Sequence, residues 1–166
     1  MVSLLIQIVI VILFALCSAF FSGSETALFS LSRARLLDYR AQTKSCRRQI
    51  VALMDDYNRT LIALVLGNMF VNTGISIIMS GIIGRFNAGP ALTLFISLFV
   101  SLVILLICGE VTPKTLAILN AEKVSDFIAP ILWYYRLSIM PLILTIEKIH
   151  SVLWKIAGRK TQRPLS

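Results

Sequence analysis

Charged residues are scarce in this sequence, at 14% of 166 residues, and they are absent from three long stretches. No Asp, Glu, Lys or Arg occurs in residues 1–24, 60–84 or 86–109. Because about 20 residues of apolar helix cross a hydrocarbon core, each stretch is long enough for one crossing. With 57% hydrophobic residues and a mean hydropathy of +0.86, the composition excludes an ordinary soluble domain. It predicts an all-α membrane protein with three transmembrane helices.

Residues that bind soft metal ions are also few. The chain has one histidine, His150, and three cysteines, with no CxxC or His–Cys spacing. The cysteines, at 17, 46 and 108, fall in a first helix, a cytoplasmic loop and a third helix. This pattern predicts neither a disulfide framework nor a zinc site.

The basic residues are distributed unevenly, which predicts the orientation of the chain. Seven lie between the first and second uncharged stretches, Arg85 alone lies between the second and third, and eight follow the third. By the positive-inside rule, residues 33–59 and the C-terminus are cytoplasmic, and the N-terminus and the 85–90 turn are outside. The net charge of +8 therefore indicates membrane orientation rather than nucleic-acid binding.

The cytoplasmic parts of the chain are expected to be helical. Apolar residues recur at helical spacing within the basic segment 33–59, at positions 46, 50, 53, 54 and 57. This predicts an amphipathic loop helix lying on the inner leaflet, with its basic side towards anionic headgroups. An ordinary solvated loop helix packed on a cytoplasmic domain is the alternative. Residues 1–120 thus form a predicted three-helix transmembrane domain with its loop helix, 121–158 a juxtamembrane helical segment, and 159–166 a basic tail. A fourth span within 121–158 is the weaker alternative, because Arg136 would lie inside it.

The stretch 107–114 interrupts the third helix with Gly109, Glu110 and Pro113. A proline lacks the N–H that would bond the carbonyl of residue i−4, which here belongs to Gly109. The freed oxygen would lie beside the Glu110 carboxylate, and irregular backbone inside a membrane is tolerated where it is buried in protein or lines a cavity. A simple kink, or a helical ion pair between Glu110 and Lys114, is the alternative.

Two further polar stretches are predicted at a similar depth. Ser22, Ser24 and Glu25 lie at the end of the first apolar run, while Asn68 and Asn72 are four apart and share one face of the second helix. The asparagines alone could form hydrogen bonds between helices, worth roughly 0.6–2 kcal/mol each. An intramembrane carboxylate, in contrast, is rare and costly. All the donors are oxygens, and this favours Mg²⁺, with Na⁺ as the second candidate.

Residues 22–27, 67–72 and 109–114 resemble the motifs of the CorC/CNNM (DUF21) family of magnesium transporters, in the same order along nearly the whole chain. The resemblance implies three membrane helices with juxtamembrane helices, a homodimer, and export of Mg²⁺ from the cytoplasm coupled to Na⁺ entry. It implies that Mg²⁺ lies near Ser22, Asn72, Gly109 and Glu110. Adjacent to these are Ser24, Glu25 and Asn68. Family members usually continue into cytoplasmic CBS domains that bind adenine nucleotide, and these 166 residues do not contain them.

Functions of two other classes compete with transport. An intramembrane hydrolase would use Ser22 or Ser24 as its nucleophile, but the base it needs is lacking nearby, since His150 is far along the chain. A non-transporting membrane anchor explains the helices but not the acidic and amide groups at matched depth. We therefore expect a non-enzymatic transporter, integral to a bacterial inner membrane and in contact with its lipid.

Overall fold

Helices account for nearly all of the chain that the computed structural model describes, which is residues 2–86 and 89–156. Residues 87–88 and the predicted basic tail lie outside the described residues. A 3₁₀ turn, Gly84–Phe86, follows the fourth helix, and a π-helical segment, Leu105–Val111, joins the fifth helix to the sixth. The helices are α1 Val2–Phe29, α2 Arg33–Ala41, α3 Ser45–Asp55, α4 Tyr57–Ile83, α5 Pro90–Ile104, α6 Thr112–Leu119, α7 Ala121–Ser138 and α8 Met140–Ile156. No strand occurs within these ranges, and the all-α class is confirmed.

Three helical segments are long and apolar enough to cross a membrane. They are Leu4–Phe29, Tyr57–Ile83 and Pro90–Leu119, and the third is built from α5, the π-helical segment and α6. Only 11% of the apolar windows of the first and third segments is buried inside the protein. Since so much apolar surface is unstable in water, these helices require a lipid environment, and the chain is an integral membrane protein.

Helix α1 is the centre of the membrane part. It packs against α4, against the π-helical segment and α6, and against α7. Small residues allow two of these approaches: a Cβ at Gly67 would lie 2.6 Å from the Phe21 ring, and one at Gly23 would meet Pro113 at 3.6 Å. Close approach through glycine is the usual way in which helices associate in lipid.

The basic segment 33–59 contains two helices, α2 and α3, before α4 begins at Tyr57. The hydroxyl of Ser32 caps α2 by accepting the Arg35 N–H at 3.3 Å, and extended backbone at Gln42 ends the helix. In α3 the fully buried Ile50 and Leu53 pack into one core with Leu28 of α1 and with apolar residues of α7. The apolar face of α3 is thus covered by α1 and α7, because α7 folds back over it.

Ion pairs join α2 and α3 to α7. Arg35 of α2 pairs with Glu122 of α7 at 2.7 Å, and Arg47 of α3 with Asp126 at 3.7 Å. The guanidinium of Arg47 also lies over the ring of the buried Tyr39, 4.7 Å from its centroid. Burial raises the pKa of Tyr39, and the nearby Glu122 and Asp126 carboxylates raise it further. The phenol of Tyr39 therefore stays neutral at physiological pH.

Helices α7 and α8 bend by 66° relative to each other, so they do not form a straight fourth span. Arg136, near the bend, is buried at 6% exposure. Its Nη1 donates to Thr60 Oγ1 at 3.2 Å and lies 3.5 Å from Asp56 Oδ2. Because Asp56 and Thr60 lie where α4 begins, the bend is level with the start of a membrane helix. The assignment of α7 and α8 as juxtamembrane helices stays a prediction.

Single engineered cysteines test the predicted orientation. In a background lacking Cys17, Cys46 and Cys108, the Lys44→Cys variant should react with a membrane-impermeant maleimide only from the cytoplasmic side. The Asn87→Cys variant should react only from outside, because the basic loop is retained in the cytoplasm. Labelling of intact cells and of inverted vesicles distinguishes the two sides, and labelling of both positions from one side would contradict the topology.

Candidate ion-binding site

A cluster of three oxygens lies between α1 and α4, inside the membrane part. The Oγ of Ser18 is 3.0 Å from Asn68 Oδ1 and 2.9 Å from Asn72 Oδ1. Ser18 is fully buried. A hydroxyl carries one proton, so Ser18 donates to only one of the two amide oxygens at a time. Three oxygens thus share a single proton, and the cluster has lone pairs to spare for a positive charge.

The structure brings the predicted asparagines together through a residue that sequence reasoning missed. Asn68 and Asn72 are one turn apart on α4, as expected, and both turn their oxygens to Ser18 of α1. Ser18 stands four residues before Ser22, so the two share one face of α1. This spacing was the signal that could have added Ser18 to the predicted set.

Gly109 closes the cluster from the π-helical segment. A Cβ at this position would lie 2.7 Å from Ser18 Oγ and 3.3 Å from Ser18 Cβ. Real Cβ atoms do not approach so closely, so only glycine lets the backbone of the third span come this near. The predicted Gly109 is therefore adjacent to the oxygen cluster.

Ser22 lies on the same face of α1 as Ser18, one turn further along. It is 1% exposed, and its Oγ makes no hydrogen bond to any residue in the described ranges. Its backbone carbonyl accepts the Thr26 hydroxyl at 3.2 Å. A buried hydroxyl without a partner costs about 1–3 kcal/mol, so Ser22 has an unused donor and acceptor beside the cluster.

Ser24 is also fully buried, and its Oγ is likewise unbonded within the described part of the chain. At about 100° per residue, however, it lies about 120° around α1 from Ser18. Leu28, one turn later on the Ser24 face, packs in the core shared with α3 and α7. Of the predicted site residues, Ser24 is therefore the one that points away from the oxygen cluster.

The two predicted carboxylates are half-buried. Neither Glu25 nor Glu110 forms a hydrogen bond or ion pair with a described residue. The alternative of a Glu110–Lys114 ion pair is therefore wrong. Glu110 directly follows Gly109, and Glu25 lies two turns after Ser18 on a similar face of α1. An unpaired carboxylate within a membrane-spanning helix is costly and marks a functional position.

A metal ion could not be held here by carboxylates or imidazoles alone. Among the residues that the structure describes, no three His, Cys, Asp or Glu side chains come close enough to bind one ion. Any cation site in the membrane part must therefore use hydroxyl, amide and backbone oxygens, with a single carboxylate or two. Such a donor set suits hard cations.

The break in the third span is a π-helix, which the sequence did not reveal. The N–H of Thr112 bonds the carbonyl of Ile107, five residues back, as π-helices do. In this register the next bond would join residue 113 to the Cys108 carbonyl, and Pro113 has no N–H. The carbonyl opposite the proline is thus that of Cys108, whereas the expectation of an α-helix gave Gly109. Gly109 is instead distinguished by its contact with Ser18.

An apolar cavity of about 480 Å³ lies beside the site. It is lined by side chains of α1, α4 and the third span, including Ala15, Ala19, Met79, Ile104 and Cys108. Because these side chains offer no oxygen ligands, the cavity does not fit a hard cation.

The order of these motifs along the chain matches a known family. Residues 8–165 match the family model described as the Cyclin M transmembrane N-terminal domain. The chain belongs to the CorC/CNNM family. Within this CNNM domain the oxygen cluster, the π-helical segment and the juxtamembrane helices all fall inside the matched range.

Relatives of this CNNM domain occur in several bacteria. It is 32% identical over 147 residues to the UPF0053 inner membrane protein YfjD of Escherichia coli, covering 87% of this chain. It is 33% identical over 154 residues to a UPF0053 protein of Haemophilus influenzae, covering 92% of this chain. The matches cover only 33% and 36% of those relatives, so the chain spans about a third of their length.

Proposed function

We propose that this CNNM domain exports Mg²⁺ from the cytoplasm through the oxygen cluster, in exchange for entering Na⁺. The observation that carries the proposal is the pair of distances from Ser18 Oγ, 3.0 Å to Asn68 Oδ1 and 2.9 Å to Asn72 Oδ1. Mg²⁺ binds oxygens octahedrally at 2.0–2.1 Å, which spaces neighbouring ligands by roughly 2.9 Å. A cation can therefore replace the hydrogen bond of the Ser18 hydroxyl with little movement of the three oxygens.

Each of the predicted residues takes a part in this proposal. Asn68 and Asn72 offer amide oxygens, and Ser22 offers a buried hydroxyl that forms no hydrogen bond to a described residue. Glu110 brings the negative charge that offsets part of the ion's charge, and the backbone at Gly109 approaches closely enough to take part. Glu25 supplies a second carboxylate two turns towards the predicted cytoplasmic end. Ser24 lies on the face of α1 that points away from the cluster, so in this proposal it is not a ligand and contributes only to the packing of α1.

The direction and setting of transport rest on the family and on charge. Basic residues between the first two spans favour a cytoplasmic loop, which puts Glu25 and Glu110 on the cytoplasmic half of the site. The relative from Escherichia coli is named an inner membrane protein, and we place this chain in a bacterial inner membrane with its N-terminus outside. We also propose a homodimer, as the resemblance to the CorC/CNNM family implies. The proposed activity is transport, without enzymatic chemistry.

Mg²⁺ should raise the thermal stability of the detergent-solubilised protein, because an ion that binds only the folded state stabilises it by mass action. At a concentration 100-fold above Kd the gain is about 2.7 kcal/mol. The Asn72→Ala and Glu110→Ala variants should lose this gain. Asn58→Ala should keep it, since Asn58 lies on the same helix as Asn72 but is exposed near the start of α4.

Flux in proteoliposomes separates transport from binding. A Mg²⁺ flux that increases with an opposing Na⁺ gradient supports exchange. A Mg²⁺ flux that does not depend on Na⁺ would contradict the proposed coupling. Unfolding curves that millimolar Mg²⁺ leaves unchanged, together with absent flux, would leave the membrane-anchor function instead.

A further inference from the structure

Helix α5 turns its polar side chains towards the protein and its apolar ones towards lipid. The buried residues of α5 are Ser97 and Ser101, each at 2% exposure. The apolar Leu98, Phe99 and Leu102 are more than half exposed. The part of the third span nearer the predicted outside therefore presents hydroxyls to the interior of the helix bundle.

A row of hydroxyls on α4 faces α5. Ser76 and Ser80 lie one and two turns after Asn72, and the same face of the helix continues to Gly84. A Cβ at Gly84 would lie 3.8 Å from Thr93 Cγ2 of α5. This face of α4 is therefore packed against α5.

The contact between the two helices also fixes their register. They are antiparallel neighbours in the chain, so each step back along α4 matches one step forward along α5. Ser80 is thus level with Ser97, and Ser76 is level with Ser101. Leu105, one turn after Ser101, packs into the core that α1 and α4 form in the turn before Ser76, as this register requires.

Two buried oxygens along these rows lack a partner. Ser101 Oγ and the amide oxygen of Gln7 are buried, and neither forms a hydrogen bond with a described residue. Gln7 lies near the predicted outer end of α1, and its Nε2 would be 3.7 Å from a Cβ at Gly81, which follows Ser80. Small residues also let helices approach closely, but an alanine would do so without burying an unbonded hydroxyl. The unbonded oxygens thus indicate a polar ligand along this face.

The hydroxyls that are hydrogen-bonded can accept a cation as well. Ser76 Oγ donates to the Asn72 carbonyl at 3.1 Å, and Ser97 Oγ donates to the Leu94 carbonyl at 2.9 Å. Because the backbone holds each proton, the lone pairs of each hydroxyl oxygen stay available. At 1.5 Å per residue, Ser76 and Ser80 lie about 6 and 12 Å beyond Asn72. Oxygen ligands therefore continue from the oxygen cluster towards the predicted outside.

We propose that Ser76, Ser80, Ser97, Ser101 and Gln7 line the exit path of the transported cation, with Ser101 as its first ligand beyond the oxygen cluster. The inference rests on the proposed function. An ion passes through a protein when successive sites bind it strongly enough to enter and weakly enough to leave. Single hydroxyls one helical turn apart are such weak sites for a hard cation that keeps part of its water shell.

The test measures two quantities for each variant, which are Mg²⁺ flux in proteoliposomes and the gain in thermal stability that Mg²⁺ gives in detergent. Ser101→Ala should lower the flux about tenfold, because it removes one ligand from the path. The stability gain should stay as in the parent, because the oxygen cluster keeps its own ligands. Ser125→Ala is the matched control and should change neither quantity. Ser125 is also fully buried, with an Oγ that bonds no described residue, but it lies in α7.

Two variants of equal shape keep the test decisive if Ser101→Ala folds poorly. Threonine and valine have similar shapes, but only threonine carries a hydroxyl, so Ser101→Thr should transport Mg²⁺ about tenfold faster than Ser101→Val. Equal flux in these two variants, or parental flux in Ser101→Ala, would overturn the exit path while the proposed function stands. Loss of the stability gain together with the flux in Ser101→Ala would also overturn it, because Ser101 would then belong to the binding site. A parent without Mg²⁺ flux would refute the exit path and the proposed function together.

Discussion

Asp56→Ala should destabilise the domain by about 3 kcal/mol, because it leaves a buried guanidinium without its counter-ion. Arg136 is 6% exposed, and within the described residues Asp56 is the only carboxylate that it contacts, at 3.5 Å. Its Nε has no hydrogen-bond partner in the same ranges. Thr60, the other partner, already gives its own proton to the Leu53 carbonyl at 2.6 Å. The estimate is at the lower end for a broken buried pair, since the Asp56 side chain is 40% exposed.

The neighbouring residue gives a matched control for this prediction. Asp55 pairs with Arg40, and both side chains are about half exposed, at 51% and 54%. Exposed pairs contribute about 0–1 kcal/mol, so Asp55→Ala should change the free energy of unfolding little. Arg136→Met should cost less than Asp56→Ala, because it removes the buried charge and fills the space with an apolar chain. Reversible unfolding in mixed micelles measures all three, and equal losses for Asp55→Ala and Asp56→Ala would contradict the prediction.

Ion pairs around Asp56 also join α7 and α8 to the start of α4. Arg59 pairs with Glu147 of α8 at 2.9 Å and 3.2 Å, which joins α8 to the start of α4. Arg136 joins the end of α7 to the same place. The helix that carries Asn68 and Asn72 is therefore joined at its N-terminal end to α7 and α8.

Pro113→Ala should abolish most Mg²⁺ flux while the stability of the fold holds or rises. Proline in a helix removes a backbone bond and crowds the preceding turn, at a cost of about 3 kcal/mol. Restoring the N–H at position 113 adds a donor for the Cys108 or the Gly109 carbonyl, and a bond to Gly109 would give the third span an α-helical register in place of the π-helical segment Leu105–Val111. This change of register would rotate Gly109 away from Ser18. At present a Cβ at Gly109 would lie 2.7 Å from Ser18 Oγ. The geometry of the oxygen cluster would then be lost although the helix itself improves.

Pro130→Ala is the matched control, because Pro130 also lies inside a helix, α7, which does not carry the site. It should alter stability without changing Mg²⁺ flux. The measurements are Mg²⁺ flux in proteoliposomes and thermal unfolding of the same preparations. Normal flux and unchanged Mg²⁺ affinity in Pro113→Ala would remove the π-helical segment from the mechanism and leave side chains alone to hold the ion.

The sequence by itself determined the three membrane spans and the all-α class. The reason is that hydrocarbon tolerates neither charge nor unpaired backbone, so uncharged runs of sufficient length can only be helices. It also determined that Asn68 and Asn72 share a face, because four residues make about one turn. The residues around Gly109 were found for a similar reason, since glycine, glutamate and proline together interrupt any apolar helix.

Only the tertiary structure decided which of these groups meet. Ser18 looked like an ordinary small residue until α4 placed two amide oxygens against it. Ser22 was expected near the ion and Ser24 adjacent to it, and a rotation of about 200° between them turns Ser24 into the core and Ser22 towards the cluster. The π register at Leu105–Val111 was also visible only in the structure, because a proline predicts a break in a helix but not the register of the residues before it. Contacts between helices distant in sequence decide which polar groups meet, and the pattern of a single helix does not encode them.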